Sequence, residues 1–361
     1  MKAKEQGIFL AALDELEKEK GIDKEELLGA VETALLAAYK KNYKDAENAY
    51  VEINRENGDV KVKAIKKVVE KVENPATEIS LENALLHSKR AKIGSEIKID
   101  INAESFKRNA IQNAKQIVIQ KVREHEKQNV YNKFKLLEDS LVKALVKKMD
   151  EQNNLYIEIN GTETIIPSRN LNPNDHFVQG DLVSVYIGKV EEGTKFTKIE
   201  FSRNSEKFLE KLFEREVPEI AAGDIEIKSI AREAGSRSKI ALYSPDVNLD
   251  VKGACMGTNR MRLEAILSEL QGEKIDLITW DEDTRNYVSS ALAPANVFSS
   301  EIVQENNEII ARVCVDNSQL SLAIGKKGQN SRLASKLCKV KIDIKGLTQE
   351  EQDAILAGNE E

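Results

Sequence analysis

An internal repeat in the C-terminal third of the chain places the strongest constraint on the fold. Residues 253–266 (GACMGTNRMRLEAI) can be laid over residues 322–334 (LAIGKKGQNSRLA), and each has a turn opened by a glycine between two helical patterns. A strand with Ile-Asp and an aliphatic residue follows each turn, at 275–277 and 342–344. Around both copies the pattern is helix, hairpin, helix pair and strand. Two tandem copies of one small α/β module explain this repetition.

The second copy carries the sharper motif, a GxxG turn between two helices. Such a turn, preceded by an aliphatic residue, is typical of the RNA-binding loop of KH domains. Glycines let the backbone approach a sugar-phosphate chain with no Cβ in the way, and amides at the next helix's N-terminus donate to phosphate oxygens. Basic residues add counter-charge. The predicted RNA-binding residues of this copy are Gly325, Lys326, Lys327, Gly328, Gln329, Asn330, Arg332 and Lys336.

The first copy differs at the second glycine, where the sequence has Arg260. A side chain therefore stands where the backbone would approach RNA. Two interpretations stay open: Arg260 obstructs the groove and this copy is mainly structural, or Arg260 contacts phosphate and substitutes charge for close approach. The predicted RNA-binding residues of this copy are Gly257, Thr258, Asn259, Arg260 and Arg262.

Charge is distributed unevenly along the chain. The formal net charge of −7 taken alone argues against a nucleic-acid binder. Residues 326–345, however, contain seven Lys and Arg residues against one acid, Asp343, whereas the residues after Gly346 contain five acids and no base. A basic patch inside an acidic protein is the distribution expected of a local RNA-binding surface.

The N-terminal part predicts an α+β unit. Residues 8–40 have the spacing of two amphipathic helices. Residues 50–53 and 60–63 alternate around Asn57-Gly58, which is a strong hairpin signal. A strand at 96–101 then leads into a long helix, from about 104 to 134.

Between about 138 and 202 the pattern changes to five short strands separated by glycine-containing turns. Five strands in so short a segment fit a small closed barrel of the OB type. The fold class is thus predicted as α+β multidomain, with an N-terminal α+β domain, an OB-type barrel and two tandem KH domains. The predicted boundaries are 1–133, 134–203, 204–280, 281–346 and an acidic tail at 347–361.

Several classes of function find no support in the sequence. Cys255, Cys314 and Cys338 are widely spaced and share no CxxC pattern, so neither a zinc site nor a disulfide framework is expected. The N-terminus lacks the uninterrupted apolar stretch of a signal peptide, and no apolar run is long enough to cross a bilayer. No catalytic motif stands out. We expect a cytoplasmic, monomeric protein that is not an enzyme, with no cofactor, metal or membrane partner.

Five segments and the order of the modules resemble the bacterial NusA family of transcription elongation, termination and antitermination factors. The resemblance implies an N-terminal domain that binds core RNA polymerase near the RNA exit channel. It also implies an S1-type OB barrel and two type II KH domains that hold nascent single-stranded RNA, with other Nus factors as further partners. The segments are AKQIVIQKVRE (114–124), VPEI (217–220), IAREAGSRSKI (230–240), GEKID (272–276) and LSLAIGKKGQN (320–330).

Two other functions compete with a transcription factor that bridges polymerase and RNA. One is a KH and S1 protein of RNA decay, although the phosphorolytic exonucleases place KH before S1 and carry a large catalytic core that this chain lacks. The other is a ribosome-associated chaperone with no link to polymerase.

Overall fold

The structure is a computed structural model of the whole chain, and it separates into two compact units. One unit comprises residues 1–132 with 194–197, and the other comprises 133–193 with 198–361. None of the described helices is both long and apolar enough to cross a bilayer. The residues that the structure describes are 14, 17–18, 21, 23–43, 47–55, 60–101, 107–305 and 308–352.

The N-terminal unit packs a helix against one face of a mixed sheet. Strand β2 pairs antiparallel with β1 and β4 and parallel with β3. The apolar face of α1 is buried against the sheet and includes Leu27, Leu28 and Tyr39. The elements are α1 (Lys24–Asn42), β1 (Ala49–Ile53), β2 (Val60–Val69), β3 (Glu78–Ser80), α2 (Leu81–His87), β4 (Glu96–Asp100) and α3 (Lys107–Lys135).

These elements confirm the predicted hairpin, the strand that precedes the long helix, and the long helix itself. The Asn57-Gly58 turn and most of the first predicted helix lie outside the described residues. Asp23 begins α1 because its side chain accepts a hydrogen bond from the Glu25 amide, which satisfies one of the free donors of the first turn.

Five strands follow in the order β7-β6-β5-β8-β9. Alternate residues of β6 are buried, as expected for a strand with one face on a core. The five predicted strands are confirmed, and their ladders make a curled half-barrel whose path ends at β7 and β9 within the described residues. The strands are β5 (Ser140–Met149), β6 (Leu155–Ile159), β7 (Thr162–Ile166), β8 (Leu182–Glu192) and β9 (Thr197–Ser202).

The predicted repeat is present as two modules with the α-β-β-α-α-β order of the type II KH topology, and the first module has an additional one-turn helix, α5 (Pro218–Ala221), after its leading helix. In each module the first two strands pair antiparallel, and the second pairs parallel with the third. The first KH module contains α4 (Glu206–Glu216), α5 (Pro218–Ala221), β10 (Glu226–Glu233), β11 (Arg237–Tyr243), α6 (Val251–Met256), α7 (Met261–Glu269) and β12 (Lys274–Thr279). The second KH module contains α8 (Thr284–Ala291), β13 (Val297–Glu305), β14 (Glu308–Asp316), α9 (Asn317–Ile324), α10 (Gln329–Cys338) and β15 (Lys341–Leu347).

The two KH modules share one hydrophobic core, in which the sheet of the first is covered by helices α8 and α10 of the second. The Tyr287 hydroxyl and the Ser229 hydroxyl lie 2.8 Å apart across this boundary. Burial of this many apolar side chains makes the pair a single body. The buried residues of this shared core include Ala231, Ala241, Ile278, Val288, Leu292, Leu333 and Leu337.

A buried charge network joins the curled sheet to the first KH module. Arg203 is only 1% exposed; it donates to both oxygens of Asp175, at 2.8 and 3.0 Å, and to Glu269 on α7. Burial disfavours the charged form of Glu269, but the Ser184 amide and the Arg203 charge outweigh it and hold the pKa of Glu269 at about 2. Because buried charges persist only when they are paired, this network fixes the position of the sheet on the module.

Candidate RNA interface

The second loop, residues 325–328, joins α9 to α10 with three residues in left-handed backbone. Gly325 has φ +76° and ψ 172°, Lys327 has φ +53°, and Gly328 has φ +71° as the residue that begins α10. No described side chain caps α10. The Gly328 and Gln329 amides already donate to the Gly325 and Lys326 carbonyls, so it is the positive end of the helix macrodipole that this uncapped terminus presents to an anion.

Three exposed lysines supply positive charge at this loop. Lys326 and Lys327 are exposed between the two glycines, and Lys336 is exposed two turns along α10. Their ammonium groups form no ion pair with a described residue, although, beside the Arg332 hydrogen bond, the Lys336 charge helps to lower the pKa of Glu233. A helix N-terminus without a side-chain cap, flanked by exposed lysines, has the electrostatics of a phosphate-binding surface.

Asn330 holds the second loop from the inside. It is 4% exposed, and its amide donates to the Leu292 carbonyl at 2.9 Å and the Ala323 carbonyl at 3.0 Å. A Cβ on Gly325 would lie 2.8 Å from both Cβ and the amide nitrogen of Asn330. The prediction that Asn330 contacts RNA is therefore corrected: its side chain closes the loop onto the end of α9, and the glycine makes room for it.

Gln329 and Arg332 face the first KH module. Arg332 donates its Nε to Glu233 at 2.7 Å and an Nη to the Lys327 carbonyl at 3.2 Å. Gln329 donates to the other oxygen of Glu233 at 2.8 Å and to the Ser236 hydroxyl at 2.7 Å. The Arg332 hydrogen bond lowers the pKa of Glu233 although partial burial opposes the shift. These two predicted RNA contacts are engaged within the protein.

The first loop, residues 257–260, has the same backbone path. Gly257 has φ +69° and ψ 176°, Asn259 has φ +52°, and Arg260 has φ +63° at the position of Gly328. Thr258, Asn259 and Arg260 are all exposed. The Arg260 side chain is 62% exposed, with Glu264 as an ion-pair partner at 4.0 Å. Its charge is thus partly compensated by its own helix.

Arg262 plays the part in the first loop that Asn330 plays in the second. It donates an Nη to the Ala254 carbonyl at 2.7 Å, near the end of α6, and to Glu219 at 2.8 Å. A Cβ on Gly257 would lie 2.7 Å from the Arg262 Cγ. The prediction of Arg262 as an RNA contact is also corrected, because its guanidinium is used to close the loop.

Sequence reasoning missed the acids that hold these loops, Glu219 and Glu233. The segments that support the family resemblance contain both of them, at 217–220 and 230–240. A third segment, 272–276, supplies Glu273, whose carboxylate takes two hydrogen bonds from Arg232, at 2.8 and 2.9 Å. The available signal was that these segments contain both acidic residues and arginines, which could have been expected to pair.

Comparison with known proteins assigns the chain to one family. It matches models of the NusA N-terminal domain over residues 9–128, the NusA-like first KH domain over 203–280 and the NusA-like second KH domain over 284–352. It is 42% identical over 348 residues to the transcription termination/antitermination protein NusA of Halalkalibacterium halodurans, covering 96% of this chain and 90% of that one.

The NusA of Bacillus subtilis is likewise 42% identical over 340 residues, covering 94% of this chain and 91% of that protein. A solution structure of the N-terminal domain of Bacillus subtilis NusA is 44% identical, with a TM-score of 0.28, and it covers 34% of this chain and 98% of that structure. At these identities over nearly the whole length, the chain belongs to the NusA family.

Proposed function

We propose that this protein is a transcription termination and antitermination factor that binds nascent single-stranded RNA, chiefly through the second loop. The observation that carries the proposal is the N-terminus of α10, which no described side chain caps, beside the exposed Lys326 and Lys327, which pair with no described acid. A KH groove binds splayed backbone and unstacked bases, so single strands are the preferred ligand. The proposed RNA contacts are Gly325, Lys326, Lys327, Gly328 and Lys336, with Gly257, Thr258, Asn259 and Arg260 as the weaker first-loop set.

Titration of a fluorescent single strand with the full chain tests this proposal. If the basic patch neutralises about three or four phosphates, log affinity falls with log salt at a slope of roughly −2 to −3. The Lys326→Ala/Lys327→Ala variant should flatten this slope by about 1.4, since each lost phosphate contact removes about 0.7. Lys89→Ala/Lys92→Ala is the control, because it removes the same charge from exposed lysines of the N-terminal unit.

Equal salt slopes for the two double variants would contradict the assignment of the second loop. Duplex RNA of the same sequence should bind less well than the single strand. Equal affinity for the duplex would point to binding by net electrostatics at another surface.

We further propose that the N-terminal unit binds core RNA polymerase while the KH modules bind RNA, with the protein acting as a monomer. The match of residues 9–128 to the NusA N-terminal domain supports this division of labour. Full-length protein should co-elute with core polymerase on gel filtration, and Lys326→Ala/Lys327→Ala should co-elute equally while its RNA affinity falls. Loss of co-elution in that variant would contradict the division.

A function in RNA decay can be tested by incubating labelled RNA with the protein and inorganic phosphate. A transcription factor that only binds RNA should leave the RNA intact. Shortened products that depend on phosphate would replace this proposal with the phosphorolytic alternative.

A further inference from the structure

The turn between β10 and β11, residues 233–236, touches three parts of the chain. Within the first KH module, the Gly235 amide donates to Glu273 at 3.0 Å. From the connection between strands β7 and β8 of the curled sheet, Asn174 donates to the Gly235 carbonyl at 2.7 Å. From the second KH module come the side chains of Gln329 and Arg332. The turn is thus tied to both neighbouring parts through direct hydrogen bonds.

Arg332 connects this turn to the second loop itself. One edge of its guanidinium bonds to Glu233, and another nitrogen bonds to the carbonyl of Lys327 at the centre of the loop. The buried residues of α10 that enter the shared core, Leu333, Ala334 and Leu337, lie further along the helix. The hydrogen bonds of Gln329 and Arg332 therefore hold the N-terminal end of α10, next to the second loop, whereas the apolar contacts hold the rest of the helix.

The first KH module shows that these contacts are not needed for a KH loop to form. The positions equivalent to Gln329 and Arg332 in the repeat are Met261 and Glu264, and both are exposed. The first loop nevertheless has the same backbone as the second. The contacts of Gln329 and Arg332 consequently hold the two KH modules in position relative to each other, and they are not needed to fold either loop.

We propose that Glu233 and Arg332 form a positioning pair that holds the second loop in register with the first, so that one RNA strand engages both loops. This inference rests on the proposed RNA-binding function. Arg332 is then a positioning residue and not a phosphate ligand, since its guanidinium is already bonded to a carboxylate and a carbonyl. A strand bound at two aligned sites gains from effective concentration, and misalignment of one site loses that gain.

The test compares RNAs of two lengths on the full chain. A strand of about four nucleotides fills one KH loop, whereas one of roughly twelve provides for two loops and a connection. Wild type should bind the longer strand more tightly. Glu233→Gln and Arg332→Ala should each weaken the longer strand about tenfold, leave the shorter strand within about twofold, and keep the salt slope unchanged.

The double variant separates positioning from direct contact. If the two residues act through one another, Glu233→Gln/Arg332→Ala should cost about as much as Arg332→Ala alone. A phosphate-binding Arg332 gives the opposite pattern: Glu233→Gln frees the arginine and tightens both RNAs, while Arg332→Ala weakens both and flattens the salt slope by about 0.7. That pattern overturns the inference.

Two further outcomes are distinguishable. Wild type that binds both lengths equally overturns the positioning pair and leaves the proposed function standing. Wild type that binds neither RNA overturns the proposed function, and the inference with it. Urea unfolding of each variant, with midpoints close to that of wild type, establishes that affinity changes arise in the folded protein, and Glu233→Gln supports this because it keeps the shape of the side chain.

Discussion

The two KH loops follow the same backbone path with different residues at the second glycine position. Their first glycines have φ of +69° and +76° with ψ near 175°, and their last residues have φ of +63° and +71°. One of those last residues is Arg260 and the other is Gly328. The left-handed turn therefore forms with or without the second glycine.

This comparison separates the roles of the two glycines. The first is crowded in both loops, by Arg262 in one and by Asn330 in the other, and those side chains close each loop onto the preceding helix. A Cβ on Gly328 would meet only the Ser331 hydroxyl, at 3.9 Å. The first glycine is required by the fold, whereas the second leaves space outside the protein, where we propose that RNA approaches.

The largest expected effect is on stability, from alanine at the first glycine. Gly325→Ala places a Cβ 2.8 Å from the Asn330 amide nitrogen, in backbone that essentially only glycine adopts. We expect it to lower the free energy of unfolding by about 3 kcal/mol. Gly257→Ala should cost less, about 2 kcal/mol, because the Arg262 side chain is flexible and can move away.

Urea unfolding of both variants, followed by circular dichroism, measures this difference. The two variants are each other's control, since they make the same change at equivalent positions. A Gly325→Ala variant as stable as wild type would mean that the loop is free to rearrange, and the assignment of a structural role to the first glycine would be wrong.

The next effect is on RNA affinity, from Gly328→Asp. The change adds a negative charge where phosphate would approach, and we expect affinity to fall about thirtyfold, which corresponds to about 2 kcal/mol. The fold should survive, because the Cβ has space and Asp visits left-handed backbone at modest cost. Gly328→Asn is the matched control, with similar shape and no charge, and it should weaken binding only a few-fold.

Equal affinities for wild type and Gly328→Asp would remove the case for RNA at the second loop. A large loss in Gly328→Asn as well would instead show that bulk, and not charge, excludes the ligand. Fluorescence titration with one single strand distinguishes these results.

Much of the fold was predictable because its signals are local. The repeat, the strands at 275–277 and 342–344 and the five strands of the curled sheet all follow from periodicity and turn residues within a few positions. The roles of Asn330, Arg262 and Arg332 were not predictable in this way. A polar side chain beside a GxxG turn has the same sequence signature whether it faces solvent or the carbonyl groups of a neighbouring helix.

The tertiary fold decides whether such a side chain faces solvent or bonds within the protein, because it determines which hydrogen-bond partners lie nearby. Asn330 lies beside the carbonyls that end α9, and Arg332 lies beside a carboxylate almost one hundred residues earlier in the chain. The lysines of the second loop are exposed, which needs no partner, and they stay proposed RNA contacts. Sequence alone therefore identifies the charged side chains beside the turn, but not which polar side chains bond within the protein.

A smaller effect is expected when glycine is restored in the first loop. Arg260→Gly relieves a left-handed arginine and should stabilise the protein by about 1 kcal/mol. We expect RNA to bind about two to three times more tightly, because the change opens the approach that Gly328 leaves open in the second loop. Weaker binding with a shallower salt slope would mean instead that Arg260 contacts phosphate. Titration at two salt concentrations gives both quantities.

The smallest effect is a difference in acid sensitivity between the two loop closures. Arg262 is paired with Glu219, whereas Asn330 is uncharged and bonds only to carbonyls. A hydrogen bond from its own backbone amide, aided by Arg262, lowers the pKa of Glu219 against partial desolvation. A lowered pKa contributes stability that is present above the unfolded value, near 4.3, and is lost as the pH falls through the folded value.

Acidification from pH 5 towards pH 3 should therefore loosen the first loop more than the second, because Asn330 itself closes the second loop and the titrating Glu233 reaches that loop through Arg332. The Gly257 and Gly325 amides report on this directly, since each donates to the carbonyl four residues earlier, Gly253 and Ser321 respectively. A half-buried surface pair of this kind is worth about 0.5 kcal/mol, so hydrogen-exchange protection of Gly257 should fall about twofold relative to Gly325. Glu219→Gln should remove the pH dependence of that ratio. A ratio that stays constant in wild type would show that the Ala254 carbonyl alone holds Arg262, and that the two closures differ in composition but not in their response to pH.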